Sequence, residues 1–167
     1  RLRGYEVDDV EFNRRSFGQS YVLPHPMDLS DWRPILAKLV AKAARRLRKF
    51  DCSATAVHLY LRFGDGTSWH AGHQLHHSIF TDHELLDAAL SLQRSDLCLK
   101  KVKKITVTFF GLEKDNGQLS CLRDLVKEKS LAISQDQIND KWGEYTLSYG
   151  SFLGSTGHVR DAIAFGK

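Results

Sequence analysis

A run of strict two-residue alternation in the middle of this sequence constrains its fold more than any other feature. Residues 57 to 63 carry apolar side chains at every odd position and polar ones between them, which is typical of a strand with one buried face. Gly64-Asp65-Gly66 follows at once and predicts a hairpin turn, so a return strand is expected from about Thr67 to Ser78. The chain must therefore supply a layer that covers one face of this hairpin.

The segment before the hairpin predicts a strand and then a helix. The strand spans residues 16 to 23 and is closed by Pro24 and Pro26, which have no N–H to donate to a ladder. The helix is predicted to begin with Ser30 as its N-cap and Pro34 in its first turn. Its apolar stripe contains Ile35, Leu36, Leu39, Val40, Ala43 and Leu47. Its other face carries cations that are expected to be mostly solvated, namely Lys38, Lys42, Arg45, Arg46, Arg48 and Lys49.

The segment after the hairpin predicts a second helix and a last strand. A Thr-x-x-Glu capping box at Thr81 and Glu84 opens the helix, and alternation marks the strand from Val102 to Leu112. The order is therefore β-α-β-β-α-β, which predicts an α+β fold of the split ferredoxin-like type, with both helices on one face of a four-stranded sheet. The open face is expected to carry His58, Tyr60, Arg62, Lys104, Thr106 and Thr108.

Length and composition set looser limits. A chain of 167 residues buries one sizeable core, so one domain with extensions is expected. The formal charge of +4 is mildly basic and does not by itself require a nucleic-acid partner. Three scattered cysteines favour a reducing cytoplasm over a disulfide framework, and the apolar runs are shorter than the ~20 residues of a membrane helix. Because the chain begins at Arg1 without a Met, we expect it to be part of a longer protein.

Several segments, taken in order, carry a resemblance to a known family. They are Arg15-Ser16-Phe17-Gly18-Gln19, Tyr21-Val22-Leu23-Pro24, Arg45-Arg46-Leu47-Arg48 and Val57-x-Leu59-x-Leu61-Arg62 ahead of an Asp-Gly turn. In this order and spacing the chain resembles the C-terminal little-finger domain of the Y-family translesion DNA polymerases, of the bacterial DNA polymerase IV or ImpB-MucB-SamB type. The resemblance implies a thumb end and linker over residues 1–14, a little-finger domain over 15–112 and a C-terminal extension over 113–167.

The resemblance also implies a function for the open sheet face. It would hold double-stranded template-primer DNA by its phosphates, without reading sequence and with strong salt dependence, during translesion synthesis and DNA repair in the SOS response. The residues assigned to DNA binding are Arg14, Arg15, Ser16, Phe17, Gly18, Gln19, Arg62, His70, Ala71, Gly72, His73, Lys103, Lys104 and Thr106. Many relatives have Arg or Lys where this chain has His70 to His73, so we expect a pH-sensitive grip.

The C-terminal extension contains a second resemblance. Gln118-Leu119-Ser120-Cys121-Leu122 is similar to the peptide by which bacterial polymerases bind the sliding clamp. Such a segment offers an amide and small apolar anchors to a preformed groove. From about Asp124 the sequence predicts a short helix, a stop at Gly143 and a strand-like run from Tyr145 to Tyr149.

Catalysis is not expected from this chain alone. Polymerisation needs carboxylates that hold two metal ions, and the resemblance implies that these belong to the palm domain. We therefore assign no catalytic residue and no cofactor here. We expect the parent polymerase to contain the palm and thumb domains, to bind Mg²⁺ and to lie in the bacterial cytoplasm.

Two other classes of protein compete with this interpretation. A free-standing RNA-binding module uses the same order of elements, although the last strands lack the aromatic signature of such modules. A metal-binding protein would need several histidines to converge, but His70 and His73 face opposite sides of a strand. No metal site is therefore predicted from the histidine group of His70, His73, His76, His77 and His83.

Overall fold

The structure is a computed structural model that describes residues 15–93, 100–114 and 125–150. Its elements in chain order are β1 (Ser16–Met27), α1 (Leu29–Lys49), β2 (Cys52–Phe63), β3 (Ser68–Ile79), α2 (Asp82–Ser91), β4 (Val102–Lys114) and α3 (Leu125–Trp142). Through the end of β4 this is the predicted order, with the hairpin between β2 and β3. No helix within the described ranges is both long enough and apolar enough to span a membrane.

The described strands form one antiparallel sheet with the order β1-β4-β2-β3. β1 pairs with β4, β4 with β2 and β2 with β3. The strands β1 and β2, which α1 joins, therefore run in the same direction with β4 between them. Likewise β3 and β4, which α2 joins, run in the same direction with β2 between them. Both connections are split β-α-β units, so the predicted α+β fold class is confirmed.

One apolar core lies between the sheet and the first two helices. In the central strands Val57 lies opposite Phe109 and Leu59 opposite Val107, and all of these side chains are fully buried. Each such Leu or Phe stabilises the fold by about 1.5–3 kcal/mol relative to exposure. The apolar stripe predicted for α1 is buried against them, at Ile35, Leu36, Leu39, Val40, Ala43 and Leu47.

Local hydrogen bonds fix the ends of the predicted hairpin and of α2. At the hairpin, Gly66 has a φ of +85° and its N–H donates to the Phe63 carbonyl at 3.2 Å. At α2, the Thr81 hydroxyl accepts from the Glu84 N–H at 3.3 Å and donates to the Glu84 carboxylate at 2.8 Å. The predicted turn and the predicted capping box are both confirmed.

Two predicted boundaries around the first helix are wrong. β1 continues through Pro24 and Pro26 to Met27, because it is an edge strand and its register with β4 is interrupted between Val22 and Met27. α1 begins at Leu29 with Asp28 as its N-cap, so residue 30 lies inside the helix. Pro34 consequently falls in the second turn and leaves one intrahelical hydrogen bond unmade.

The C-terminal extension differs from its prediction in a similar way. α3 is an 18-residue helix that stops just before Gly143, whose φ of +111° suits a glycine. The predicted strand from Tyr145 to Tyr149 is wrong, because this stretch is a turn followed by irregular backbone. The Asn139 side chain donates to the Leu147 carbonyl at 2.9 Å and accepts from the Leu147 N–H at 2.8 Å. These bonds take up backbone groups that a strand would need.

The prediction of a solvated cationic face on α1 is wrong for its inner residues. Lys38 is only 6% exposed, and the Arg48 side chain is 6% exposed. α3 covers this face, and carboxylates on it and just beyond it pair with Lys42, Arg45 and Arg48. Burial, together with Lys42, lowers the pKa of Lys38. Helical periodicity predicts that every cation of α1 faces solvent. It contains no information on α3, a helix far along the chain that covers some of these cations.

Candidate nucleic-acid interface

The face of the sheet that points away from the helices is polar, as the alternation predicts. Cross-strand pairing places its residues in rows that run from β1 through β4 and β2 to β3. Three successive rows are Gly18-Thr108-His58-Gly72, Ser20-Thr106-Tyr60-His70 and Val22-Lys104-Arg62-Ser68. We call these rows the open face. They bring together the predicted residues Gly18, Thr106, Arg62, Lys104, His70 and Gly72.

Glycines on both edge strands keep the rims of the open face low. A Cβ atom on Gly18 would lie 2.9 Å from the Thr108 hydroxyl oxygen and 3.0 Å from the Val107 carbonyl oxygen. A Cβ atom on Gly72 would lie 3.4 Å from the His58 ring. Because neither edge carries a side chain in this row, the strand backbones are accessible to a ligand that lies across the sheet.

The central strands place two cations directly opposite each other on the open face. Arg62 on β2 pairs with Lys104 on β4, and cross-strand partners have Cβ atoms about 4.5–5.5 Å apart. Arg62 is exposed and Lys104 is half-buried. No ion pair is seen for either cation within the ranges that the structure describes. Like charges in this position destabilise a sheet, so the arrangement is suited to an anion that binds both.

Hydroxyl and imidazole groups surround these cations. The hydroxyl oxygens of Ser20 and Thr106 are 2.8 Å apart, and the rings of His58 and His70 have their centroids 5.5 Å apart. Ser20 is absent from the predicted set, although the two-residue period of β1 places it on the same face as Gly18. Burial lowers the pKa of His58, and the neighbouring His70 lowers it further. His58 is therefore neutral near pH 7 and offers a hydrogen bond rather than a charge.

Four of the remaining predicted residues do not share this face. Phe17 is 3% exposed and packs in the core, so only its backbone is available to a ligand. By register, Gln19, Ala71 and His73 lie on the helix side of the edge strands, opposite Val107, Leu59 and Val57 respectively.

The predicted residues at the ends of β1 have other positions. Arg15 and Ser16 are exposed at the start of the strand, where Ser16 pairs with Phe110 of β4. Lys103 lies at the register break between β1 and β4, where its ammonium group donates to the Pro24 carbonyl at 2.9 Å. Arg14 lies outside the described residues.

Lowering the pH from about 8 to about 6 at constant ionic strength is expected to raise duplex affinity, because histidines gain positive charge over this range. An exposed charge pair contributes about 0.5–1 kcal/mol, which corresponds to roughly a two- to fivefold change. His58→Gln should leave most of this response intact, because burial lowers the pKa of His58. Fluorescence anisotropy with a labelled duplex measures the effect. Equal affinity at both pH values would contradict it.

The histidines of the described residues do not converge on a metal site. His58 and His70 share the open face, but His73 lies on the other side of β3. Among the described residues, no group of three or more His, Cys, Asp or Glu side chains is placed to hold a metal ion.

Comparison with known proteins gives a family for this chain. A model of the impB/mucB/samB family C-terminal domain matches residues 12–121, which is more than half of the 167-residue chain. No match was found among the curated proteins.

Several solved structures are similar to this chain. A Dbh ternary complex is 20% identical with a TM-score of 0.49, over 57% of this chain and 28% of that chain. DinB from Sulfolobus solfataricus is 20% identical with a TM-score of 0.47, over 57% of this chain and 28% of that chain. A complex of a β-clamp processivity factor and the little finger domain of PolIV is 16% identical with a TM-score of 0.49, over 64% of this chain and 97% of that chain.

The chain thus spans 28% of the length of the first two structures. The family match covers β1 through β4 and includes every row of the open face. The chain therefore belongs to the impB/mucB/samB family and contains its C-terminal domain, the little-finger domain of Y-family DNA polymerases.

Proposed function

We propose that this chain holds template-primer duplex DNA by its phosphates through the open face, on behalf of a polymerase that carries out translesion synthesis. The observation that carries this proposal is the pair of opposed cations in the central strands, Arg62 and Lys104. A phosphate bound between them would offset their mutual repulsion. Contacts of this kind position a duplex without reading its sequence, which suits an enzyme that accepts damaged templates.

The width of the sheet supports the same proposal. Its four strands are separated by three spacings of about 4.8 Å, so the edge strands lie roughly 14 Å apart. The major groove of B-form DNA is about 12 Å wide. With the open face in this groove, β1 and β3 would lie beside the two phosphate backbones. The low rims at Gly18 and Gly72 would then let backbone N–H groups approach the phosphates.

The composition of the open face favours duplex DNA over single-stranded RNA. RNA-binding sheets stack bases on aromatic side chains of their central strands. Here the central strands carry Tyr60 and His58 in the rows of the open face, and their partners on β4 are Thr106 and Thr108. The polar partners of Tyr60 provide hydrogen bonds to phosphate oxygens rather than a stacking platform.

Anisotropy titrations of the purified chain with a labelled DNA duplex and a single-stranded RNA of equal length test the proposal. At about 50 mM salt we expect the duplex to bind at least tenfold more tightly, and we expect its affinity to fall steeply toward about 200 mM salt. Tighter binding of RNA, with a weak salt dependence, would contradict the proposal and favour the RNA-binding module.

We propose further that residues Gln118 to Leu122 bind the sliding clamp of the same polymerase. These residues lie outside the described ranges, so the proposal is supported by their sequence and by their position directly after β4. Tethering to a shared DNA makes even modest affinity effective. Gln118→Ala with Leu122→Ala should abolish clamp binding in a pull-down with purified clamp, and retained binding would exclude this peptide. Mg²⁺ and the palm carboxylates would belong to the parent protein, which we place in the bacterial cytoplasm.

A further inference from the structure

α3 packs on the domain with its polarity inverted. The side chains of Leu131, Ile138 and Trp142, which share one stripe, are 67%, 40% and 69% exposed. By contrast, the carboxylates of Asp136, Asp140 and Glu144 point toward α1. A helix that packs on a protein surface normally buries its apolar stripe. The contact between α3 and α1 is therefore mainly ionic.

The ionic contacts form a regular ladder of three rungs. The Asp136 carboxylate accepts two hydrogen bonds from Arg48, each 2.7 Å long. Asp140 pairs with Arg45, and Glu144 pairs with Lys42 at 3.4 Å. The cations are spaced by three residues on α1 and the carboxylates by four along α3 and just beyond it, in opposite chain directions. Each helix thus presents one row of like charge to the other.

The innermost rung differs from the other two. Arg48 also donates to the Asp82 carboxylate at 2.7 Å and to the Phe80 carbonyl at 3.0 Å. This rung is therefore part of the buried hydrogen-bond network of the domain. In the outer rungs the side chains are more exposed, at 29% for Arg45 and 62% for Asp140. Exposed ion pairs contribute only about 0–1 kcal/mol each and are weakened by salt. The outer rungs can therefore exchange partners without disrupting the core.

A guanidinium group binds carboxylate and phosphate oxygens in the same forked geometry. We propose that Lys42 and Arg45 form a second phosphate-binding surface for nucleic acid, on the helix side of the domain, and that Asp140 and Glu144 occupy it as intramolecular competitors. Arg46 and Lys49 are exposed on the same helix and extend the positive surface. The Tyr145 hydroxyl, which donates to the Lys38 carbonyl at 3.4 Å, holds the end of the competing segment in place.

This surface is distinct from the open face, which lies on the other side of the sheet. It would therefore contact a different segment of the same nucleic acid from the one that the open face holds. When Asp140 and Glu144 leave their partners, Lys42 and Arg45 become available to bind two phosphates. For each phosphate neutralised, the slope of log affinity against log salt steepens by about 0.9, so two added contacts steepen it by about 1.8.

The double variant Asp140→Asn with Glu144→Gln tests the proposal in the full chain by duplex anisotropy. At about 50 mM salt we expect its affinity to rise roughly three- to tenfold, and this gain should largely disappear by about 200 mM salt. The matched control is Asp31→Asn with Asp87→Asn, which removes the same charge from exposed positions outside the ladder. The control should change affinity less than about twofold, because distant surface charges are screened.

Two further variants decide the outcome. Adding Lys42→Gln and Arg45→Gln to the ladder variant should return its affinity to that of the wild type. Adding Arg62→Gln and Lys104→Gln instead should lower total affinity but preserve the relative gain, which separates this surface from the open face. An equal gain in the matched control, or a gain that persists without Lys42 and Arg45, would overturn the proposal. Unfolding midpoints of all variants, measured in urea, verify that each is folded.

Discussion

Arg48→Met is expected to lower the free energy of unfolding by about 3–5 kcal/mol. The Arg48 side chain is 6% exposed and its nitrogens contact Asp82 and Asp136 as well as the Phe80 carbonyl. Burial opposes the charge of Arg48, but the two carboxylates hold its pKa above the ordinary value. Burial also raises the pKa of Asp82, although Arg48 acts in the opposite direction. Removing the guanidinium leaves two poorly solvated carboxylates facing each other, with no cation between them.

Urea unfolding at neutral pH measures this loss. Arg46→Met is the matched control, because Arg46 is exposed on the same helix, and it should change stability by less than about 0.5 kcal/mol. The difference between wild type and Arg48→Met should shrink as the pH falls, because protonated carboxyl groups no longer need a cation. A loss below about 1 kcal/mol, or one that does not depend on pH, would show that the network does not hold the helices together.

The charge-reversal variant Arg62→Glu with Lys104→Glu is expected to weaken duplex binding at least 100-fold at about 50 mM salt. These residues lie opposite each other in the central strands, so reversal places two carboxylates where the proposed phosphate binds. A 100-fold loss corresponds to roughly 2.7 kcal/mol. The loss should diminish as salt rises, because the contacts are ionic.

Arg33→Glu with Lys127→Glu is the control for this prediction. These residues are exposed on α1 and α3, outside the open face and outside the proposed second surface, and the variant changes the net charge by the same amount. Its affinity should fall less than about fivefold, through the general field of the protein alone. Equal losses in both variants would mean that net charge, rather than the open face, controls DNA binding.

The residues that could be predicted from sequence are those whose environment is set by neighbours in the chain. The alternation from 57 to 63 gave β2 and its faces because one buried face imposes a period of two residues. Thr81 and Glu84 identified the start of α2 because a capping box is local. The open face followed from these faces, and Arg62 and Lys104 lie on it as expected.

Other features depend on contacts between distant segments, and sequence patterns do not contain them. Arg48 has the same helical spacing as the exposed cations of α1, and its partner Asp136 is 88 residues away. The strand order, which puts β4 between β1 and β2, is likewise set by packing. Gln19 and His73 lie in segments that the family resemblance assigns to DNA binding, yet the register turns them to the helix side of the sheet.

Amide chemical-shift mapping of the ¹⁵N-labelled chain, titrated with a DNA duplex at low salt, tests the central claim most directly. Binding through the open face predicts the largest shift changes at Gly18, Ser20, His58, Gly72 and Thr106, which lie in its rows. Smaller changes are expected on α1 as long as Lys42 and Arg45 remain paired with Glu144 and Asp140. Shift changes confined to the helix side, with the open face unaffected by saturating duplex, would contradict the claim.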